Sequence, residues 1–553
     1  MKLTTNRINQ SFLMNDSPMS RYGIYILFLL AMLPVLLLRD FTPANELRYI
    51  SIAADALRDG NFLTFTNQGL PYADKPPLYL WLVMGAYRML GTDCMWLLGL
   101  LFSAVPAIVV SELTIGICGE RIPGPRRTAF VLMLLTGALF ISMSVTLRMD
   151  MLMTMFIVWA IWLYMQILRD RRGDHLRGRQ WMVGVVVFLA LFTKGPLGVL
   201  IPLIALIVFL LLAGDISRFG RYWGWRCWAV LLGGCLLWWG GAWLEGGREY
   251  IDNLLFHQTV GRAVDAFDHS RPWYYYLVQM WWCLAPWALL MVPVLLATLA
   301  GAGRDSRSPE QMMCLAVVVP TLILISCISS KLAVYMLPVV PFWTASLFMA
   351  TDAKGSGWQR VLLGLSLAIV ALGGLAGAAA VWLSQGGGRW LPYATQWQKI
   401  WVSCAGASLL FGCGIGVLRM FGRKASMDSG VCFAGFGLLA TLLFGGLAIP
   451  AFNHMLGFDK VGHVAAGFSA DLRPTAVVTL DMPRSENLDV YLGRPVTSIP
   501  IDSVSGYLDK AQGSVMVICR QGDMAGRPEA SICRICRIDD KEIYYIPYIP
   551  ENN

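Results

Sequence analysis

Tyr22 to Leu38 reads YGIYILFLLAMLPVLLL, and Arg39 to Tyr49 continues RDFTPANELRY. The first stretch carries no charge and is long enough to cross most of a ~30 Å hydrocarbon layer. The second packs Arg39, Asp40, Glu46 and Arg48 into one exit loop. A secretory signal would be followed by a small-residue cleavage site; Arg39-Asp40-Phe41 stands there instead, as expected of an uncleaved anchor. The same alternation of apolar run and charged junction recurs along the chain. Of 553 residues, 56% are hydrophobic and only 14% charged, with a mean hydropathy of +0.58. Ordinary soluble proteins are about 25% charged. So little polar surface cannot coat several soluble domains, which excludes a soluble enzyme, a disordered scaffold and a nucleic-acid binder.

Thirteen spans are expected, centred on 22–38, 96–118, 129–146, 150–168, 180–193, 196–213, 227–244, 273–299, 311–328, 332–350, 361–384, 400–418 and 430–449. Leu78 to Leu90 is short and holds Arg88, and reads as an interfacial or re-entrant helix. With the N-terminus inside, inner positions hold 21 of the 44 Lys and Arg. This bias predicts a cytoplasmic N-terminus, and thirteen spans place the C-terminus outside. Residues 1–449 are therefore expected as a membrane domain, its first outer loop running from about 39 to 95.

From Pro450 the composition becomes that of a soluble domain. Ala476–Leu480, Val515–Ile518 and Ile543–Ile546 read as strands, and Ser503–Gln512 as a helix, giving a small α/β domain over 450–553. Gly373, Gly374 and Gly377 mark a small-residue helix face. Cys533-x-x-Cys536 is too small a pattern to define a metal or redox centre.

Positive residues on the outer side run against the orientation rule and need another reason. Arg48, Lys75, Arg148, Lys194, Arg262, Arg271 and Lys331 form that set, and anion binding accounts for it. Carboxylates lie among them: Glu46 at the first exit, Asp74 before Lys75, and Asp150 at the start of a span. An ionisable group at such depth is functional by default, although Asp150 can also be read as a helix cap or a partner of Arg148. His257 and His269 share one outer loop, and with Asp74 they leave a metal site open without diagnostic spacing. Acids to serve as base or ligand, cations for an anion and an apolar groove together suit a phosphate-headed lipid.

Six motifs then occur in order: PANELRY (43–49), DKPP (74–77), RMD (148–150), KGP (194–196), HSRPWYYY (269–276) and SKLAVYMLP (330–338). The chain resembles, through them, the bacterial aminoarabinose lipid A transferase family. These are GT-C membrane glycosyltransferases related to protein O-mannosyltransferases. The resemblance covers residues 22–350 by motif and the remainder by layout. It implies a helical polytopic bacterial inner-membrane enzyme with periplasmic juxtamembrane helices, active site and C-terminal domain. It implies a polyprenyl-phosphate-linked sugar donor, with lipid A or another envelope glycolipid as acceptor. By position, Arg48, Tyr72, Lys75, Arg262 and Tyr335 are implied to hold the carrier phosphate. Lys194, His269, Arg271 and Lys331 support them, and Asp74 and His257 are implied for a divalent metal such as zinc.

One departure bears on mechanism. The family usually carries Asp before the Glu of the first motif, and here it is Asn45. An amide cannot take a proton, so a hydroxyl acceptor would need Glu46 or Asp150 as general base. A phosphate acceptor is already anionic and needs none. The reading therefore leans towards a phosphate acceptor or towards Glu46 as the working acid, with a protein Ser/Thr hydroxyl as the alternative. A lipid or anion transporter is the reading from another class. Transporters place their sites near the midplane between repeats; here the charges gather at one face and no repeat is visible.

Overall fold

The structure is a computed structural model and describes residues 18–170, 172–255, 271–301, 307–383, 394–422, 425–525, 527 and 534–547. Among the described residues, nine helices are long and apolar enough to cross a bilayer, or up to eleven if each of two bent pairs is one span. Two shorter apolar helices, Leu197–Ala213 and Ala288–Ala300, stand beside them. The expected span 196–213 is a 17-residue helix, Leu197–Ala213. The expected span 273–299 is two helices, Tyr275–Cys283 and Ala288–Ala300. The run 129–146 bends by 68° between Gly124–Leu135 and Ala138–Val145. There Gly137 is extended (φ −63°, ψ 134°), and the Thr136 hydroxyl donates back to the Leu132 carbonyl at 2.6 Å. Hydropathy counts apolar side chains and does not register such a turn.

Helix α1 (Pro18–Leu38) ends at the charged loop, and the chain turns by 82° into a helical segment, Pro43–Asp59. Its first turn, Pro43–Leu47, is a wide π-type turn that leads into α2 (Arg48–Asp59). The apolar face of α2 buries Tyr49, Ile50, Ile52, Ala53 and Ala56. Gly60 closes it at φ +75°, a left-handed conformation that costs glycine little. Helix α3 (Pro77–Leu90) forms where a short helix was expected. Helices α4 (Met149–Arg169) and α5 (Leu176–Lys194) pack side by side behind them.

The last three long helices, α6 (Gly357–Leu383), α7 (Gln396–Phe421) and α8 (Met427–Ala448), meet along glycines. A Cβ on Gly374 would lie 2.7 Å from the Gly406 carbonyl oxygen, and one on Gly412 would lie 2.5 Å from the Gly437 Cα. Of the small-residue face expected on α6, Gly374 sits in the seam, whereas Gly373 and Gly377 face open space.

Beyond α8, helix α9 (Asp459–Leu472) leads into a five-stranded sheet with α10 (Val504–Lys510) inserted. Its strands β1 (Ala476–Leu480), β2 (Thr497–Ile499), β3 (Val515–Arg520), β4 (Arg534–Ile538) and β5 (Lys541–Ile546) run in the order β2-β1-β3-β5-β4. β1 pairs parallel with β2 and β3, and β5 pairs antiparallel with β3 and β4. Both faces are covered. Val478, Leu480, Val515 and Val517 form one core; Val477, Met516, Ile518 and Ile543 turn the other way and join the main core. That is why β1 and β3 read as continuous apolar runs.

The sheet domain rests directly on the stretch that follows α1. Ser51 Oγ and Gln68 Nε2 donate to Asp489 Oδ2 at 2.9 and 2.6 Å. Asn487 Nδ2 donates to the Pro43 carbonyl at 3.1 Å.

Candidate active site

The charged residues sit at helix ends because the chain breaks there. Arg148 is extended (φ −144°, ψ 147°) just before α4, and Asp150 lies in the first turn of that helix. Lys194 is the last residue of α5, ended by Gly195 at φ +118°. An acid at a helix N-terminus and a cation at a C-terminus each complement the local helix dipole.

Asp150, 1% exposed, joins these ends. Its Oδ2 accepts from Arg148 Nε at 2.9 Å, and its Oδ1 from the Lys194 ammonium in a very short contact. Arg148 Nη1 also donates to Asn45 Oδ1 at 3.0 Å. The Lys194 ammonium stands over the Tyr335 ring, 4.7 Å from its centre. A contact chain Asn45–Arg148–Asp150–Lys194–Tyr335 therefore connects four of the six motifs.

The remaining two attach at the flanks. The Arg48 guanidinium lies 5.9 Å from the centre of the Tyr49 ring and 5.7 Å from that of Tyr72. The Tyr72 carbonyl accepts from the Tyr250 hydroxyl at 3.3 Å. Asp74 and Lys75 pair at 3.3 Å. On the other side, Lys331 is buried and donates to the carbonyls of Arg271 at 3.0 Å and Ile328 at 2.6 Å. The Tyr276 hydroxyl donates to the Leu332 carbonyl at 3.2 Å. Lys331 thus fastens the backbone of the HSRPWYYY segment, and the exposed Arg271 meets it through its carbonyl. His257, Arg262 and His269 lie outside the described residues.

Glu46 occupies a different setting. It is fully buried and clasped by Arg39, with Nη1 to Oε2 at 2.7 Å and Nη2 to Oε1 at 2.5 Å. The Thr42 amide and hydroxyl donate to it at 2.9 and 2.8 Å, and the Leu147 amide at 2.8 Å. Glu46 therefore ties the first outer loop to the turn before α4. Arg39 was read only as the flank of an anchor, because sequence spacing does not show that its fork reaches back over the turn.

Arg48 belongs to the expected phosphate set, and one further residue, Tyr79, escaped the sequence reading. Arg48 Nε is buried without a hydrogen-bond partner among the described residues, a donor placed to meet an anion. Tyr79 is fully buried, its ring set edge-on to Tyr49 at 5.8 Å, and its hydroxyl has no hydrogen-bond partner among the described residues. An apolar-looking helix start, Pro77-Leu78-Tyr79, gave no signal for it.

Of the two residues implied for a metal, Asp74 is described and His257 is not. Among the described residues no group of three or more His, Cys, Asp or Glu side chains could hold a metal ion. The Asp74 carboxylate pairs with the Lys75 ammonium at 3.3 Å.

The chain superposes on the crystal structure of ArnT from Cupriavidus metallidurans bound to undecaprenyl phosphate with a TM-score of 0.74, at 18% identity, covering 97% of this chain and 99% of that one. It has the ArnT fold. This is a helical polytopic fold closed by a small sheet domain. No protein-family model matches the chain. An uncharacterized protein of Aquifex aeolicus is 25% identical over 350 residues, 62% of this chain and 66% of the relative. The undecaprenyl phosphate-alpha-4-amino-4-deoxy-L-arabinose arabinosyl transferase 1 of Pseudomonas fluorescens is 24% identical over 327 residues, 57% of this chain and 55% of the relative. The matched stretches thus span between about half and two thirds of these relatives' length. The family that the six motifs resemble and the family of the ArnT structure are the same.

Proposed function

We propose that the chain is an inverting glycosyltransferase that moves a sugar from a polyprenyl-phosphate carrier to an anionic phosphate of lipid A or a similar envelope glycolipid. The observation that carries this reading is the contact chain from Asn45 to Tyr335, which gathers cations from separate helix ends around one buried carboxylate. ArnT of C. metallidurans, whose fold the chain shares, binds undecaprenyl phosphate, and the P. fluorescens relative is named for transfer from such a carrier.

In the reaction an acceptor phosphate oxygen attacks the anomeric carbon. The bond from that carbon to the carrier phosphate breaks, and its electron pair leaves with polyprenyl phosphate. One phosphate monoester is consumed and one is released, so the charge is conserved and no proton need be removed. The carboxylates agree with this. Asp150 is neutralised by two cations, Glu46 is engaged by Arg39 and three further donors, and Asn45 is no base. A hydroxyl acceptor would need a carboxylate ready to take a proton. Arg48, Lys75 and Lys194 are the groups to stabilise the leaving phosphate, the kind of preorganised electrostatics worth several kcal/mol, or about 10²–10³ in rate. Arg262 and Tyr335 are assigned to the same phosphate by resemblance. No step is assigned to a metal at Asp74 and His257.

The same reading places 1–449 in the bacterial inner membrane with its N-terminus cytoplasmic, thirteen membrane passes, and the active site and residues 450–553 in the periplasm. The test is mass spectrometry of lipid A and of glycoproteins from cells with and without the protein. An added sugar on a lipid A phosphate is expected; a sugar found only on protein Ser or Thr would overturn the acceptor assignment.

A further inference from the structure

A polar cavity of about 320 Å3 lies where the sheet domain meets the ends of α1, α7 and α8, apart from the contact chain above. Its size falls within the ~300–1,000 Å3 of small-ligand sites. Thr395, which caps α7, Gln398 in its first turn, Pro450 just past α8 and Asp40 just past α1 place it at the end of the bundle that carries the sheet domain. Its wall is amphoteric. Asp40, Asp459 and Asp539 supply acid, and Lys460 and Lys541 supply base.

The two signs are built differently. Asp40 is 8% exposed, and its Oδ2 accepts from the Asp459 amide at 3.2 Å. Burial, with the Asp459 charge beside it, pushes the Asp40 carboxyl up to about 6 against the opposing pull of Lys541 and Arg39, so a further cation beside this buried acid is favourable. Lys541, 7% exposed, donates to the His454 carbonyl at 2.9 Å and to Asp540 Oδ1 at 2.8 Å. An ammonium has three protons to donate, which leaves one for a ligand. Lys460 reaches the same cavity from α9, paired with Asp539 at 2.9 Å.

We propose that this cavity binds a phosphoethanolamine headgroup of a membrane phospholipid, its phosphate on Lys541 and Lys460 and its ammonium on Asp40 and Asp459. A purely anionic headgroup would meet the three carboxylates, and a quaternary ammonium offers no N–H to donate to Asp40. The primary amine beside a phosphate satisfies both signs. The position adds a consequence. Arg39, whose Nη1 donates to the Asp40 carbonyl at 3.2 Å, is the residue that clasps Glu46. A headgroup on Asp40 therefore braces the first outer loop one residue from that clasp.

The test uses the full chain in lipid nanodiscs of phosphatidylcholine alone, of phosphatidylcholine with 30% phosphatidylethanolamine, and of phosphatidylcholine with soluble phosphoethanolamine added. Native mass spectrometry of released protein and thermal unfolding are read together. One retained phosphatidylethanolamine and a raised Tm are expected in the second disc. Lys460→Ala and Asp459→Asn should each lower retention about tenfold, as expected for loss of one charge-assisted contact. Lys460 is exposed, so its loss does not threaten folding. Stabilisation by soluble phosphoethanolamine as strong as by the lipid would assign the site to the free compound and overturn the lipid source. Equal Tm and no retained lipid in the first two discs, or retention unchanged in both variants, would overturn the proposal itself.

Discussion

Glu46 and Asp150 look alike in sequence, each an acid at an outer helix end, and they do different work. Glu46 holds Arg39 and three further donors in full burial, so Glu46→Gln is first a test of stability. Breaking a buried ion pair from one side costs about 3–5 kcal/mol, and a large fall in Tm is expected. Arg39→Ala should fall similarly, and the double variant should lose less than the sum, because the two share one interaction. If Glu46→Gln kept its Tm and lost turnover with a pH-dependent kcat, Glu46 would be the base after all. Lys75 contrasts with it. Its side chain is 19% exposed and pairs with Asp74 at 3.3 Å. Lys75→Ala should keep its Tm and lose about 10²–10³ in turnover, the usual effect of one preorganised charge; near-normal turnover of the purified variant would remove it from the site. At this scale the sequence located the charged residues but not their partners. The pairing of Asp150 with Arg148 stood open as one of two readings, since both lie in one motif. The reach of Lys194 to the same carboxylate, and of Arg39 to Glu46, depends on where two helix ends meet, and residue spacing carries no such information.

Helix α2 joins the membrane body to the sheet domain through Asp489, whose Oδ2 takes both Ser51 and Gln68. Burial pushes this carboxyl up to about 6, with Asp55 adding to the rise. A folded-state value above the unfolded one, near 3.8, means the fold prefers the neutral acid. The contribution is present in full below the unfolded value and is lost as pH rises through about 6, by at most about 3 kcal/mol. Protection factors of the α2 amides, corrected for the intrinsic pH dependence of exchange, are therefore expected to be higher at pH 5 than at pH 7.5, and Asp489→Asn should flatten that difference; identical corrected profiles for the two proteins would dismiss the linkage. The glycine seam offers a second element-level test. A Cβ at Gly374 meets the Gly406 carbonyl oxygen, whereas one at Gly373 meets nothing. Gly374→Ala should destabilise by about 1–3 kcal/mol through overpacking, and Gly373→Ala should leave Tm unchanged. Elements were the most legible level of the sequence. The strands at 476, 515 and 543, the short helix before Leu90 and most of the long apolar helices follow from apolar length and period. The bends did not, because Gly137 and the split after Cys283 alter backbone direction inside runs that stay apolar. The sheet order did not either, since β5 enters between β3 and β4 by a pairing that no local pattern encodes.

The whole molecule is one-sided: the contact chain, the polar cavity and the sheet domain all adjoin the end of the bundle where α1 opens into the first outer loop. A glycosyltransferase needs only that arrangement, with donor and acceptor entering from one leaflet. A transporter must instead present its binding residues alternately to both sides. Labelling with a membrane-impermeant maleimide separates the two. Asp502→Cys in the sheet domain and Ser356→Cys before α6 are both exposed positions on opposite ends of the bundle. In intact spheroplasts Asp502→Cys should label at once, and Ser356→Cys only after lysis. Lys75→Cys tests the site itself, because Lys75 lies at its edge and is partly open. It should label from the sheet-domain side, be protected by added polyprenyl phosphate, and stay unreactive to reagent supplied only from the other side of inverted vesicles. Reactivity of Lys75→Cys from both sides, switched by substrate, would mark alternating access and replace the transferase with a transporter. Labelling of Ser356→Cys in intact spheroplasts with Asp502→Cys protected would instead invert the topology and move the active site to the cytoplasm.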